Sequence, residues 1–340
     1  MAETMKAWQY TTAAGGLEKT LYNTTTFPTP SKNTLSPNQI FLQVISASLN
    51  PVDYKIPELG MVGKIMIPTP AIPGHDFCAK VVATHDTNDT LKVGQKVFGA
   101  LGGEVRYGSC GEYIVAKTEE CVPLPEGVDE DDAAAVGVAG KTAYQCLKPY
   151  IKAGMKVFIN GGSGGTGTFG IQIAKILGGH ITTSCSTGNV ALCKELGADE
   201  VIDYKTNDLL QVLKTQGQVF DLVVDNVGAP ATLYKECHHF LKAGCKFIQV
   251  GAAADVGSAA NLVKNMALPS WLGGGQRPFQ FLTLKANRED FAELGKWLAE
   301  GKMRTVIDQV FEWEDVPKAF EKLKTGRTRG KIAVHVTAKG

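Results

Sequence analysis

Residues 156–178, KVFINGGSGGTGTFGIQIAKILG, run from an apolar stretch through a glycine-rich turn into an amphipathic segment suited to a helix. Gly162, Gly164 and Gly167 satisfy G-x-G-x-x-G, with Ser163, Gly165 and Thr166 between them. Glycines allow the tight turn and the close approach of backbone to a ligand, and unpaired N–H groups at a helix start meet an anion. A strand before the motif and a helix after it give the context in which it binds the pyrophosphate of a dinucleotide. The other reading is a glycine-rich turn without a ligand.

The next apolar run, HITTSCSTGN at 180–189, ends without the acidic residue that would accept hydrogen bonds from the ribose 2′-hydroxyl of NAD. A 2′-phosphate then meets no repulsion there. Ser186, Tyr204 and Lys205 are candidate donors to it, so the pattern favours NADPH over NADH, although Ser186 also fits as an ordinary turn residue.

These residues need a sheet to hold them. From 132 to 275, strands at KVFING, HITTSCS, EVIDY, FDLVVDNVG and KFIQVG alternate with stretches suited to helices, which predicts an α/β, doubly wound parallel sheet. Residues 1–131 read instead as short strands punctuated by Pro, Gly, Asn and Asp, a β-rich domain. The stretch Val256 to Phe279 reads as a crossing between domains, with Trp271 and Leu272 either capping an apolar pocket or packed in a loop. The tail, 276–340, offers a helix, a strand near VIDQVFEW, a second helix and the strand KIAVHV. That is too little for a third domain, so it completes the first.

Composition narrows the function class. The chain has 340 residues, 44% of them hydrophobic, enough for two cores. With 35 basic and 34 acidic side chains, the net charge of +1 comes without a basic stripe, which argues against nucleic acid as a partner. The start lacks the pattern of a secretory signal and no apolar run is long enough to span a bilayer, so a cytoplasmic location is expected. Eight cysteines without a CxxC pair read as reduced, packed thiols.

The motifs SLNPVDYK (48–55), IPGHDFCAKVV (72–82), VGQKVFG (93–99), AAAVGVAGKTAY (133–144), NGGSGGTGTFGIQIAK, LGADEVIDY (196–204) and the terminal RGKIAV together resemble the medium-chain dehydrogenase/reductase superfamily. Within it the chain is similar to the zinc-independent quinone oxidoreductase branch that includes zeta-crystallin, and closely to the plant chloroplast-envelope quinone oxidoreductase homologues. The resemblance spans essentially the whole chain. It implies that the β-rich part is a GroES-like catalytic domain beside a Rossmann cofactor domain, with a homodimer paired through the strand KFIQVG. Where the plant homologue carries Arg before an Asn, this chain has Gly188, so a 2′-phosphate must be bound by other residues.

Zinc-bearing members hold their catalytic metal with Cys, His and Cys from three segments. The matching positions here are Asn50, His75 and Val138, and the cysteine-rich structural zinc lobe is absent too, so no metal is expected and His75 reads as packed or hydrogen-bonded beside Asp76. Without a Lewis acid the substrate carbonyl must be polarised by hydrogen bonds, which suits enones and quinones, whose developing charge is delocalised. The resemblance puts Asn50, Tyr54 and Lys55 in the catalytic turn; the alternatives are a turn-stabilising Asn, a buried aromatic and a solvated lysine. It also places Thr142, Asn226, Val227, Val250, Gly251, Ala252, Phe281, Leu282 and Thr283 along the cofactor, with Arg327, Arg329 or Lys331 reaching the adenosine phosphate. Lys141 stands where relatives carry an apolar residue, and reads as a surface charge or a partner for an acidic substrate. The implied activity is NADPH-dependent reduction of quinones or α,β-unsaturated carbonyls. The alternatives are a trans-acting enoyl reductase serving a polyketide synthase, and a non-catalytic, crystallin-like NADPH binder.

Overall fold

The computed structural model describes residues 3–88, 90–103, 105–251, 264–265 and 274–337. The chain forms two compact units, Met1–Lys141 with Lys285–Gly340, and Thr142–Leu284. Both divisions fall later than the sequence pattern suggests. The helix Glu130–Leu147 runs through the first expected break, and Phe279–Phe281 joins the sheet of the second unit rather than the tail.

The strands in chain order are β1 (Thr4–Gln9), β2 (Tyr22–Pro28), β3 (Gln39–Leu49), β4 (Asp76–Thr84), β5 (Lys96–Ala100), β6 (Tyr113–Lys117), β7 (Cys121–Pro123), β8 (Lys156–Asn160), β9 (His180–Cys185), β10 (Glu200–Asp203), β11 (Phe220–Asp225), β12 (Leu241–Gln249), β13 (Phe279–Phe281), β14 (Ile307–Phe311) and β15 (Lys331–His335). In the first unit β1 and β2 pair alone, while a seven-stranded sheet runs β14-β15-β3-β4-β5-β7 with β6 also on β3. The tail contributes β14 and β15, and β15 lies antiparallel to β3 with Leu49 opposite Ile332. This register carries Lys331, the first residue of β15, to the end of β3 where Asn50 begins the turn expected to be catalytic. Leu42, Val44, Phe77, Ile114, Phe320 and Ile332 are fully enclosed in the core.

In the second unit the order is β10-β9-β8-β11-β12-β13, and every pair is parallel. Val157, Phe158 and Ile159 on β8 are at most 1% exposed, the continuous apolar run expected of a strand covered on both faces. Phe169, Ile171 and Ile173 of the helix Gly165–Ile176 are wholly buried as well. The expected dimer strand, KFIQVG, is not the edge among the described residues. β13 pairs with it, Phe279 opposite Phe247, so among the described residues the edge strand is Phe279–Phe281.

No helix among the described residues is long and apolar enough to cross a membrane. The eight cysteines are free, and all but Cys245 are buried.

Candidate active site

In the second unit, β8 ends at Asn160 and the chain turns through Gly161, whose φ of 82° suits glycine, before the helix starts at Gly165. A Cβ on Gly162 would lie 2.1 Å from Thr183 Oγ1, and one on Gly167 would lie 2.1 Å from the Gly161 carbonyl oxygen. Only glycine closes this turn. The first N–H groups of the helix, those of Gly165, Thr166 and Gly167, have no intrahelical acceptor and are available to an anion.

Beside the turn, the Asn189 amide donates to Ser163 Oγ at 3.1 Å and to Ser186 Oγ at 3.2 Å. Across the neighbouring strand Asp203 stands opposite Cys185, so Ser186 and Tyr204 leave adjacent strand ends, and the Tyr204 N–H reaches the Cys185 carbonyl at 3.2 Å. Tyr204 is 49% exposed and the Lys205 ammonium lies 5.7 Å from its ring centroid. The structure thus brings Ser163, Ser186, Tyr204 and Lys205 to one end of the sheet. Sequence reasoning missed Asp203, a carboxylate on this rim. A hydrogen bond from Thr187 lowers its pKa below the ordinary value, and it accepts the Lys205 N–H at 2.9 Å.

Asn226, Val227, Val250 and Gly251 follow β11 and β12. The Val250 and Gly251 N–H groups donate to the Asp225 carbonyl at 2.8 and 3.3 Å, and a Cβ on Gly251 would lie 2.2 Å from the Asn226 carbonyl oxygen. Both polar atoms of the Asn226 side-chain amide are buried without a hydrogen-bond partner among the described residues. Such a group costs about 1–3 kcal/mol until a ligand pairs it. A cradle that leaves no room for a Cβ at Gly161, Gly162, Gly167 or Gly251, next to an amide with no partner among the described residues, fits a dinucleotide. Thr142 is 4% exposed, the Leu282 N–H bonds to the Gln249 carbonyl at 2.9 Å, and Thr283 is exposed; Ala252, Trp271 and Leu272 lie outside the described residues. Phe281 and Leu282 come from the edge of this sheet, not from the tail as expected.

In the first unit, Asn50 precedes the short helix Pro51–Lys55. Its backbone N–H donates to Asp53 Oδ2 at 2.6 Å, which closes the turn. Its side-chain oxygen accepts from Lys331 Nζ at 2.5 Å, and the same ammonium donates to the Leu49 carbonyl at 2.9 Å and to Asp76 Oδ2 at 3.1 Å. Lys331 is therefore not a phosphate-binding surface charge: it is 3% exposed and its donors are spent indoors. Arg327 and Arg329 are exposed on the same unit.

Asp76 also accepts the Val138 N–H at 2.7 Å, where the helix Glu130–Leu147 kinks at Gly137. A Cβ on Gly137 would lie 2.2 Å from the Asp76 carboxyl, so that contact requires glycine. Burial raises the Asp76 pKa above the ordinary carboxylate value against the opposing pull of Lys331. His75 is bonded through Nδ1 to Asp53, not to the adjacent Asp76. Although burial works against its charge, Asp53 raises its pKa above 6.5. The positions of the three zinc ligands in metal-bearing relatives thus hold an amide, an imidazole and a valine, bonded to Lys331, Asp53 and Asp76.

Tyr54 packs half-buried against the core, with the Lys324 ammonium 5.5 Å from its ring centroid; burial, then Glu58, raises its pKa. Burial lowers the pKa of half-buried Lys55. Lys141 is not a surface charge, and the carboxyls of Asp76, Glu120 and Asp290 act on it electrostatically. It is 4% exposed, lies 4.8 Å from the Phe291 ring centroid, and burial lowers its pKa. Sequence reasoning missed Asp53, for which its place three residues after Asn50, a capping position, was the available signal, whereas nothing local marked the burial of Lys331.

Fold and cradle together define a dinucleotide-dependent oxidoreductase. Residues 36–126 match the family model described as alcohol dehydrogenase GroES-like domain, and residues 196–334 the one described as zinc-binding dehydrogenase. The chain is 45% identical to the trans-enoyl reductase pgmF of Aspergillus terreus, covering 98% of this chain and 96% of that one. It is 30% identical to the chloroplast envelope quinone oxidoreductase homolog of Arabidopsis thaliana, over 97% of this chain and 98% of that protein. The quinone oxidoreductase structure from Coxiella burnetii matches with a TM-score of 0.84 at 30% identity, covering 98% and 100% of the two chains. The chain belongs to the medium-chain dehydrogenase/reductase superfamily, whose oxidoreductases use nicotinamide cofactors. Its likeness to the fungal trans-enoyl reductase exceeds its likeness to the plant homologue.

Proposed function

We propose that the chain is a zinc-independent, NADPH-dependent reductase of conjugated carbonyl compounds, with α,β-unsaturated carbonyls and quinones as the acceptor class. The observation that carries this reading is the bonding around Asn50, His75 and Val138. These groups answer to Lys331, Asp53 and Asp76 rather than presenting three ligands to one point, so carbonyl activation falls to hydrogen bonds.

When bound, the nicotinamide supplies hydride. Gly162 to Gly167 would hold its pyrophosphate, Asn226 would pair its amide with the nicotinamide half, and Ser186, Tyr204 and Lys205 would receive the 2′-phosphate. As the β-carbon of an enone is reduced, charge collects on the carbonyl oxygen, and a donor aimed there lowers the barrier. We assign that donor to Lys55, whose burial moves its ammonium toward easier proton release. Asn50 and Lys331 hold the start of its helix, and Tyr54 supports it by packing.

A second reading, reduction of an enoyl group carried on a synthase, is favoured by the 45% identity to a trans-enoyl reductase over 98% of the chain. It uses the same residues and differs in how the substrate arrives. The test is NADPH and NADH oxidation by chelator-treated protein against quinones, enals and enones, an enoyl pantetheine thioester, and the same acyl group on a carrier protein. Turnover of free conjugated acceptors supports the first reading and turnover on the carrier alone the second; NADPH binding without turnover on any acceptor overturns both. The proposal includes a cytosolic homodimer, checked by fractionation and light scattering.

A further inference from the structure

Three strand ends meet beneath the glycine-rich turn. Ser184 on β9, Asn160 on β8 and Asp225 on β11 stand in one row of the parallel register, Asn160 opposite both of the others. Their exposures are 0%, 3% and 3%, deep for three polar side chains in an apolar sheet. The row is joined end to end. The Gly161 N–H donates to Ser184 Oγ at 3.0 Å, and the Ser184 hydroxyl donates to Asn160 Oδ1 at 2.6 Å. The Asn160 amide donates to Asp225 Oδ1 at 2.8 Å and to the Ala229 carbonyl at 2.9 Å. Asp225 Oδ1 further accepts the Val227 and Gly228 N–H groups at 3.0 and 2.9 Å.

These bonds fix the amide orientation. Both Asn160 N–H donors and its oxygen are in use, and neither leucine nor aspartate could make the same set. At its two ends the row holds backbone, the glycine turn through Gly161 and the Val227–Ala229 segment next to the orphaned Asn226 amide. Val227 also abuts Gly161, where a Cβ would lie 2.6 Å from Val227 Cγ2. A polar network buried this deeply in a sheet costs desolvation and is tolerated only when fully paired.

We propose that Asn160, acting through Ser184 and Asp225, is a positioning residue for cofactor binding: it sets the glycine turn against the Asn226 segment so that both engage one dinucleotide. This rests on the reading of the second unit as the cofactor unit. Asn160 does not touch the reacting atoms, so its loss acts on cofactor affinity rather than on the chemical step.

The experiment titrates NADPH by fluorescence into the full-length wild type, Asn160→Leu and Ser184→Ala, followed by steady-state kinetics with the best acceptor and thermal unfolding. Asn160→Leu is expected to raise Kd and KM for NADPH by about tenfold or more, with kcat at saturating NADPH within about threefold and acceptor KM unmoved. Ser184→Ala, a smaller change that frees the Gly161 N–H, is expected to move the same constants in the same direction and decides the matter if Asn160→Leu does not fold. Folded variants with unchanged NADPH Kd and KM, or a loss confined to kcat or melting temperature, overturn the inference while leaving the cofactor reading intact. A wild type that binds neither NADPH nor NADH overturns the cofactor reading itself and the inference with it.

Discussion

The Lys331 ammonium and the Asn50 side-chain oxygen meet at 2.5 Å where both residues are at most 4% exposed. The ammonium sits among one carbonyl, one amide oxygen and the carboxyl of Asp76, so the last strand of the chain locks the start of the candidate catalytic turn. Removing one partner of a buried pair leaves the other charge uncompensated, at a cost of about 3–5 kcal/mol. Lys331→Met is therefore expected to lower the unfolding midpoint of the first unit strongly. Adding Asp76→Asn, which removes the orphaned carboxylate but still accepts the Val138 N–H, should restore much of that loss in denaturant titrations. A double variant no more stable than Lys331→Met would contradict this account.

The glycine turn and its strand were legible because their signal is local: each residue of 156–178 meets its neighbours in sequence. The Lys331 lock was not, because Lys331 and Asn50 are brought together by the β15–β3 register, and a terminal lysine carries no sign of burial in its own segment. His75 illustrates an intermediate case. The sequence leaves it packed or hydrogen-bonded, and its partner is Asp53, 22 residues earlier in the chain. The burial of Lys141, which rules out its reading as a surface charge, is hidden for the same reason, since the Phe291 ring that receives it comes from the helix Arg288–Ala299. Phe279–Phe281, only three residues long, gave too little periodicity to be recognised as the sixth strand.

His335 gives a pH dependence. Burial alone would lower its pKa, but hydrogen bonds with Asp131 at 3.0 Å and Glu312 at 3.1 Å outweigh this and raise it above 6.5. Below about pH 6.5 both folded and unfolded states hold the proton, and the stabilisation is complete. As pH rises through the higher folded pKa the folded protein also loses it and the contribution disappears. The expected outcome is that the melting-temperature advantage of wild type over His335→Gln, measured near pH 6, shrinks by about pH 9. An advantage that grows with pH would reverse the assignment.

Asn226 should separate cofactor binding from stability. Its amide is buried without a hydrogen-bond partner among the described residues, so replacing it with leucine removes a desolvation cost without breaking a described side-chain bond. Asn226→Leu is expected to melt no lower than wild type without cofactor, yet to lose most of the thermal shift that saturating NADPH gives the wild type. A variant that melts lower but keeps the full NADPH shift would make this amide structural.

Selectivity between the two cofactors turns on the end of β9. Ser186 stands beside Tyr204 and accepts from Asn189, a bond that an aspartate there would also accept. A carboxylate at this position pairs with the ribose hydroxyls of NADH and repels a 2′-phosphate. Ser186→Asp is expected to raise KM for NADPH by about tenfold to a hundredfold and to leave KM for NADH equal or lower, with kcat for the acceptor little changed in both cases. Parallel kinetics with the two cofactors read this directly, because only a group near the 2′-position moves their ratio. If both KM values rise together, residue 186 shapes the turn without facing the phosphate; if neither moves, the 2′-phosphate lies closer to Tyr204 and Lys205 than to this strand end.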